Sequence, residues 1–380
     1  MVQRAFCLQR LNTVFGANAR LVSVKLPNSK PFSAVLLEGN VMKQNLRNLL
    51  LQCLLILGLM LAATPIALAG KQTSVSGPSF TSTSEMVYVG DEWHKQGIAY
   101  EEWAANTDLA VTLDQHLYPA LLPIIQDWGK SKNLNIAVQE GTCGISAGKL
   151  RKKTVDIGGF CCPPGLTDRL PGLKYHTLGI GALALLVHKD NPVEEIDLET
   201  ARAIFRGKYN HWQALGEDLP AGFGKNRIRP YTRLHCKARP GHWRLLLDNE
   251  DMFSPRLIDV SSIPDMVSSI EQSRMSIGYE MVWMVMRYSD ENKIKLLRLN
   301  GHSPTNFAAL ISGNYPLYRT YNITTWKDTP AKNAIVEELA NYLIDNFNQV
   351  NPKYGIVSAQ ELRSAGWIFQ ENELVGEPQP

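Results

Sequence analysis

Short apolar runs of strand length alternate with helix-spaced amphipathic segments from residue 109 almost to the end of the chain, a rhythm that few architectures satisfy. Leu109–Leu113 is strand-like. Pro119 then opens a helix carrying Leu121, Leu122, Ile125 and Trp128 on one face, proline being tolerated in a first turn. Asn135–Gln139 and Val155–Ile157 are further strands, and Ala182–His188 is the nearly continuous apolar run of a strand covered on both faces. Asp197 caps a helix ending near Phe205, with Gly207 as its left-handed stop. Ile228–Thr232, Ser276–Tyr279 and Ile294–Leu299 repeat the strand pattern. Thr329-Pro330 starts a long helix through Ile335, Leu339, Tyr342, Leu343 and Phe347, and Ser358 with Glu361 forms a capping box for a last short one. The alternation predicts an α/β protein with largely parallel sheets.

The 380 residues are long enough for roughly two to three domains, and at 44% hydrophobic and 20% charged they can bury a core. The net charge of +3 mixes two unlike regions. Residues 1–69 hold seven Lys/Arg and one acid, leaving 32 Lys/Arg against 35 Asp/Glu, a net of −3, in the remainder. With no basic excess there, nucleic acid is not an expected partner. Lys43 and Arg47 precede an apolar run from Leu49 to Ala63, then Ala67-Leu68-Ala69 before Gly70: a signal peptide over 42–69, cleaved after Ala69. The run is short for a membrane span, which needs about 20 residues, although a single anchor is the competing reading. Met42 reads as the true start and 1–41 as an over-extended gene start; 70–107 is a leader, loose over 71–85. The mature chain is expected in the periplasm with no stable membrane span.

Sequence motifs for catalysis are scarce: there is no G-x-S-x-G elbow, H-E-x-x-H or Walker loop. The Gly-rich turns Gly141-Thr142-Cys143-Gly144 and Gly158-Gly159 lie between strand and helix, where backbone N–H groups favour an anion. Gly179–His188, Asp190-Asn191-Pro192, Ile204-Phe205-x-Gly207-Lys208 and Asn210-x-Trp212 resemble the phosphate-binding periplasmic receptors of ABC transporters. So do Ile277-Gly278-Tyr279 and Tyr315-Pro316-Leu317 with Arg319; upstream, Gly141–Ile145 and Val155-Asp156-Ile157 are similar to that family's loop and strand, all in the family's order over about 108–357. The resemblance implies a two-lobed type II periplasmic binding protein fold, each lobe a mixed sheet flanked by helices. The first lobe would be 108–187 with 290–380, and the second 188–289. The ligand would sit in the cleft between them, closed by hinge motion.

Departures from the family fall on the loops expected at the ligand. Asp114-Gln115-His116-Leu117 stands where hydroxyls are usual, Cys143 follows Thr142, Cys161-Cys162-Pro163 replaces a Ser-Arg-Pro-like loop, and the family arginine Arg233 is followed by His235-Cys236-Lys237-Ala238-Arg239, then His242. Disulfides are one reading of the cysteines in an oxidising compartment, with Cys143 and Cys236 each pairing with one of Cys161 and Cys162. A metal site of Cys143, Cys161, Cys162, Cys236, His235 and His242 is another, and free thiols a third. Arg233, Lys237 and Arg239 favour an oxyanion or carboxylate, the alternative being a solvated basic loop.

The expected function is therefore a non-enzymatic, exported solute-binding protein. It would take a small anion, phosphate or a related oxyanion, through Asp114, His116, Thr142, Cys143, Gly144, Cys161, Cys162, Arg233, Lys237 and Arg239. An ABC transporter permease is the expected partner. No cofactor is expected apart from a metal, which belongs to the alternative of a metal- or cofactor-carrying protein on the same scaffold; a sensor or scaffold that kept only the fold is a third class.

Overall fold

The computed structural model describes residues 80–216, 219–220, 222–234, 247, 252–290, 292–349 and 354–378, together with two strands, β1 (Arg20–Val24) and β2 (Phe32–Leu36), that pair antiparallel in a separate N-terminal unit. The expected signal peptide, 42–69, lies outside the described residues.

The main unit orders as α1 (Asp91–Lys95), β3 (Leu109–Asp114), α2 (Tyr118–Lys132), β4 (Ile136–Gly141), α3 (Cys143–Arg151), β5 (Ile157–Phe160), β6 (Leu173–His188), β7 (Glu195–Ile196), α4 (Leu198–Phe205), β8 (Arg229–Thr232), β9 (Ile258–Asp259) and α5 (Ile263–Glu271). It continues through β10 (Ser276–Met281), α6 (Val282–Tyr288), β11 (Ile294–Leu296), β12 (Arg298–Leu299), α7 (Phe307–Ile311), β13 (Tyr318–Trp326), α8 (Ala334–Asn346), β14 (Ile356–Ser358) and α9 (Ala359–Ser364). One sheet runs β4-β3-β5-β13-β6-β10-β8-β9, with β11 and β14 also on β6.

The sheet is mixed rather than largely parallel. β3 is parallel to β4 and β5, and β8 to β9 and β10, but β6 is antiparallel to every strand it touches. The reason is its length: 16 residues, about 50 Å at strand rise, run through both halves of the fold. Its first half pairs with β13 and β14, its second with β10 and β11. Both edges and both faces are thus covered, which accounts for the unbroken apolar run over 182–188. In the sheet order β4, β3, β5 and β13 lie on one side of β6, and β10, β8 and β9 on the other.

The local rules hold with small shifts. Asp197 accepts from Thr200 N at 2.7 Å to cap α4, and Gly207 has φ +76°. Ser358 and Glu361 close the capping box of α9. The helix expected from Thr329-Pro330 begins at Ala334, because Thr329 starts a turn and Asn333 is the cap, accepting from Ile335 N. From residue 80 the leader is strapped to the body. Arg169 donates to Thr81 O, Lys153 Nζ donates to Trp93 O and Gln96 O at 2.7 Å, and Tyr100 donates to Asp156.

Gly179 sits where β14 crosses β6 so closely that a Cβ would lie 2.2 Å from the Val357 carbonyl oxygen. Gly148, in the exposed part of α3, has nothing within 4 Å. Gly179→Ala is expected to cost roughly 1–3 kcal/mol by overpacking, whereas Gly148→Ala gains about 0.4–1 kcal/mol. Thermal denaturation of the two variants checks both signs, and equal midpoints would mean that β14 yields freely.

Candidate functional site

Loops at the carboxyl ends of β3, β4 and β5 meet the end of β8 and side chains of β10 and β13, the place where open α/β sheets bind ligands. After β3, Asp114 Oδ1 accepts from the His116 backbone N at 2.9 Å and lies 2.7 Å from His116 Nδ1, so the turn orients the imidazole. Cys143 is the first residue of α3, whose cap is Thr142, accepting from Ile145 N at 3.2 Å. Cys161 and Cys162 follow β5, and Asn322 of β13 donates to the Cys162 carbonyl at 2.8 Å. At the end of β8, Arg233 N donates to the Tyr279 hydroxyl, which also bonds Thr232 Oγ1 at 2.8 Å.

These side chains are buried and form two adjoining halves. In the ionic half, Glu280 Oε2 accepts from Arg233 Nη1 at 2.7 Å, while Oε1 accepts from Met281 N at 2.8 Å and lies 3.2 Å from His116 Nε2. Arg319 Nη1 is also 3.2 Å from His116 Nε2 and donates to Cys161 Sγ at 3.6 Å. In the sulfur half, Cys143 Sγ is 3.4 Å from Cys161 Sγ, 3.7 Å from Cys162 Sγ and 3.5 Å from Asp114 Oδ2.

Each ionisation follows from its neighbours. Burial alone would raise the Glu280 carboxyl, but the His116 hydrogen bond and the charges of Arg233, His116 and Arg319 hold it well below the ordinary carboxylate range. Burial opposes a charge on His116, yet Cys161 and Asp114 outweigh burial and raise the imidazole well above its usual value. Burial, then the Cys161 sulfur, push Asp114 up against the pull of His116. Burial would also raise Cys161, but hydrogen bonds from Cys143 and Cys162 and the His116 charge carry it well below an ordinary thiol. Cys143 is raised by its bonds to Cys161 and Cys162 and by burial. An imidazolium between Asp114 and Glu280 satisfies both carboxylates, since both ring nitrogens then donate.

Six residues anticipated from sequence therefore converge: Asp114, His116, Cys143, Cys161, Cys162 and Arg233. Thr142 spends its hydroxyl on the helix cap, and Gly144 is exposed in the first turn of α3. Lys237, Arg239, His235, Cys236 and His242 lie outside the described residues. Among the described residues no disulfide joins Cys143, Cys161 or Cys162. Two participants were missed, Glu280 and Arg319. Their signal was present, because each is a charge inside a strand buried along its whole length, a position where charged residues are rare unless paired.

A family model described as a PBP superfamily domain matches residues 99–346. The chain belongs to the PBP superfamily. Phosphate-binding protein PstS of Pseudomonas aeruginosa is 24% identical over 217 residues, 54% of this chain and 64% of the relative, so the match spans a little under two thirds of that protein's length. Two solved structures share the fold. An ABC-type phosphate transport receptor from Vibrio cholerae aligns with TM-score 0.53 at 16% identity. A putative phosphate ABC transporter substrate-binding protein with bound phosphate, from Clostridium perfringens, aligns with TM-score 0.56 at 14% identity. In both alignments 66% of this chain covers 99% of the other. This PBP-superfamily chain thus has the two-lobed α/β fold, with its buried ionic cluster drawn from both halves of the sheet.

A carboxyl lowered by folding contributes stability that is in place above its unfolded pKa, about 4.3 for Glu, and is lost as pH falls toward the folded value. Glu280→Gln is therefore expected to cost about 3–5 kcal/mol near pH 7, where it leaves buried cations unpaired, and progressively less below about pH 4.3. Urea midpoints of the two proteins at pH 7 and pH 3.5 measure this. A gap that stays constant would show that Glu280 is not ionised in the fold.

Proposed function

We propose that the protein is an exported solute-binding receptor that captures a small anion, phosphate or a related oxyanion, between its lobes for an ABC-type permease, with no bond made or broken. The observation that carries this reading is the treatment of Glu280. Arg233 from one lobe and His116 and Arg319 from the other gather around a single carboxylate, so the chain's own side chain occupies the place an oxyanion would take. Arg233 Nε is buried with no hydrogen-bond partner among the described residues, a donor that a tetrahedral oxyanion could take up alongside Nη1. Arg233 is only 2% exposed, so a solute would enter on lobe opening and displace Glu280 from Arg233 as the lobes close. The relatives, a phosphate-binding protein and phosphate receptors, support the same class of ligand.

The test is calorimetry with inorganic phosphate. Removing the internal competitor in Glu280→Gln is expected to tighten binding at least about tenfold, a change of about 1.4 kcal/mol. Arg233→Lys, which keeps the charge but loses the planar fork, is expected to weaken it by a similar factor. Arg233→Ala is the poorer choice, since it strands Glu280 in the interior. Equal affinities in wild type and both variants would remove the site from this cleft.

Export is the second part of the reading, carried by the Lys43/Arg47, apolar-run and Ala67-Leu68-Ala69 pattern. No helix among the described residues is long and apolar enough to cross a membrane. The mass of the protein recovered from the producing cell's periplasm should correspond to a chain beginning at Gly70. Recovery of the unprocessed chain from the cytoplasm would refute export.

A further inference from the structure

We propose that the sulfur half of the cleft is a closed zinc(II) site, in which the Cys143, Cys161 and Cys162 thiolates and Asp114 Oδ2 are the four ligands. This goes beyond the anion reading and does not depend on it, because none of the four ligands is Glu280 or Arg233, the pair on which that reading rests.

The argument is geometric. Buried free cysteines usually behave as small apolar side chains, and such residues have no reason to bring their sulfurs together against a carboxylate oxygen. Here Cys143 Sγ lies 3.4 Å from Cys161 Sγ, 3.7 Å from Cys162 Sγ and 3.5 Å from Asp114 Oδ2. A tetrahedral zinc with Zn–S of about 2.3 Å and Zn–O of about 2.0 Å has S···S edges of about 3.8 Å and S···O edges of about 3.5 Å. The three separations measured from Cys143 Sγ fall on or slightly inside those edges, so Cys143 stands where one corner of such a tetrahedron would be, and closing the remaining edges is the movement that zinc entry requires. Asp114 and Cys161, with His116, offer ligand atoms that all lie within 4.8 Å of one another.

The surroundings are those of a ligand set held in advance. Asp114 Oδ1, the oxygen not used as a ligand, is fixed by the His116 backbone N and stands 2.7 Å from Nδ1, leaving Oδ2 aimed at the sulfurs. The backbone N of Cys161 donates to Cys143 Sγ at 3.3 Å, and Arg319 Nη1 donates to Cys161 Sγ at 3.6 Å, both of which stabilise thiolate charge. The Cys162 carbonyl is pinned by Asn322. Three thiolates and one carboxylate with Zn(II) carry a charge of −2, which the Arg319 guanidinium borders. On binding, the Cys143 and Cys162 thiols release their protons to solvent, Cys161 binds as the thiolate, and three Zn–S bonds form with no change of oxidation state. With all four positions taken by protein, the site is structural: it ties the β3, β4 and β5 loops together and leaves no open position for catalysis.

The test uses the whole chain, purified under reducing conditions and stripped with a chelator, then titrated with Zn(II) and separately with Co(II). The proposal expects one equivalent of Zn(II), an intense tetrahedral Co(II) spectrum with sulfur-to-metal charge-transfer bands, and a rise in the thermal midpoint on loading. Cys162→Ser and Asp114→Asn should each weaken Zn(II) binding at least about a hundredfold, while Arg233→Lys leaves it unchanged. That contrast separates failure of this proposal from failure of the anion reading, which Arg233→Lys tests. Absence of a stoichiometric Zn(II) equivalent, an octahedral Co(II) spectrum in the wild type, or undiminished binding in Cys162→Ser would each overturn it. So would a metal-free mass two hydrogens low in protein taken from an oxidising compartment, with peptide mapping placing the disulfide on Cys143, Cys161 or Cys162. The wild-type Co(II) spectrum decides the matter even if a variant fails to fold.

Discussion

Glu280 is fully buried on β10, and an ionised carboxylate can remain there only if positive charge and hydrogen bonds replace the water it has lost. The arrangement of the cleft follows from that requirement. Arg233 must reach across from the end of β8, His116 must turn its Nε2 inward, and Arg319 must lie along β13. The Asp114 turn holds His116 in place, and Asp114 in turn stands beside the sulfurs, so the ionic and thiol halves are mechanically one unit. A PBP-superfamily fold whose lobes part about a hinge would break some of these contacts each time it opens. Glu280 ties the end of β8 to the loop after β3 through Arg233 and His116.

The scaffold that makes this possible is the long strand β6. By pairing with β13 and β14 along its first half and with β10 and β11 along its second, it carries the sheet continuously beneath the cluster. Close packing at Gly179 keeps β14 against it. The loops carrying His116, Cys143 and Cys161 emerge from the parallel strands β3, β4 and β5, while Glu280 and Arg319 come from β10 and β13, which are both antiparallel to β6 and flank it in the sheet order. Cations from the two sides of β6 can meet one carboxylate because this shared strand sets the spacing of their backbones.

Much of the architecture was legible in the residues because it depends on short-range rules. The Asp197 cap, the Gly207 stop, the Ser358–Glu361 box and the apolar run of 182–188 each report a local hydrogen bond or a covered face, and each appears where its rule places it. The mixed direction of the sheet was legible only through the family resemblance, since the same apolar pattern by itself serves a strand paired parallel or antiparallel. The ordered strap over 80–104 was hidden for a similar reason. It is held by Lys153, Asp156 and Arg169, partners tens of residues away that leave no periodic trace in the strap itself.

Sequence by itself determined the fold class, the family and six of the residues that meet in the cleft, because strand–helix rhythm and ordered loop motifs are properties of neighbouring positions. Only tertiary structure decided what those residues do to one another. Glu280 and Arg319 lie 164 and 203 residues from His116, and nothing local to any of the three announces that they touch. Cys143, Cys161 and Cys162 likewise became a cluster only when the loops after β4 and β5 came together around the Asp114 carboxylate. Charge compensation and metal geometry depend on distances of a few ångströms between atoms, and those distances are fixed by how distant strands pack rather than by the order of residues along the chain.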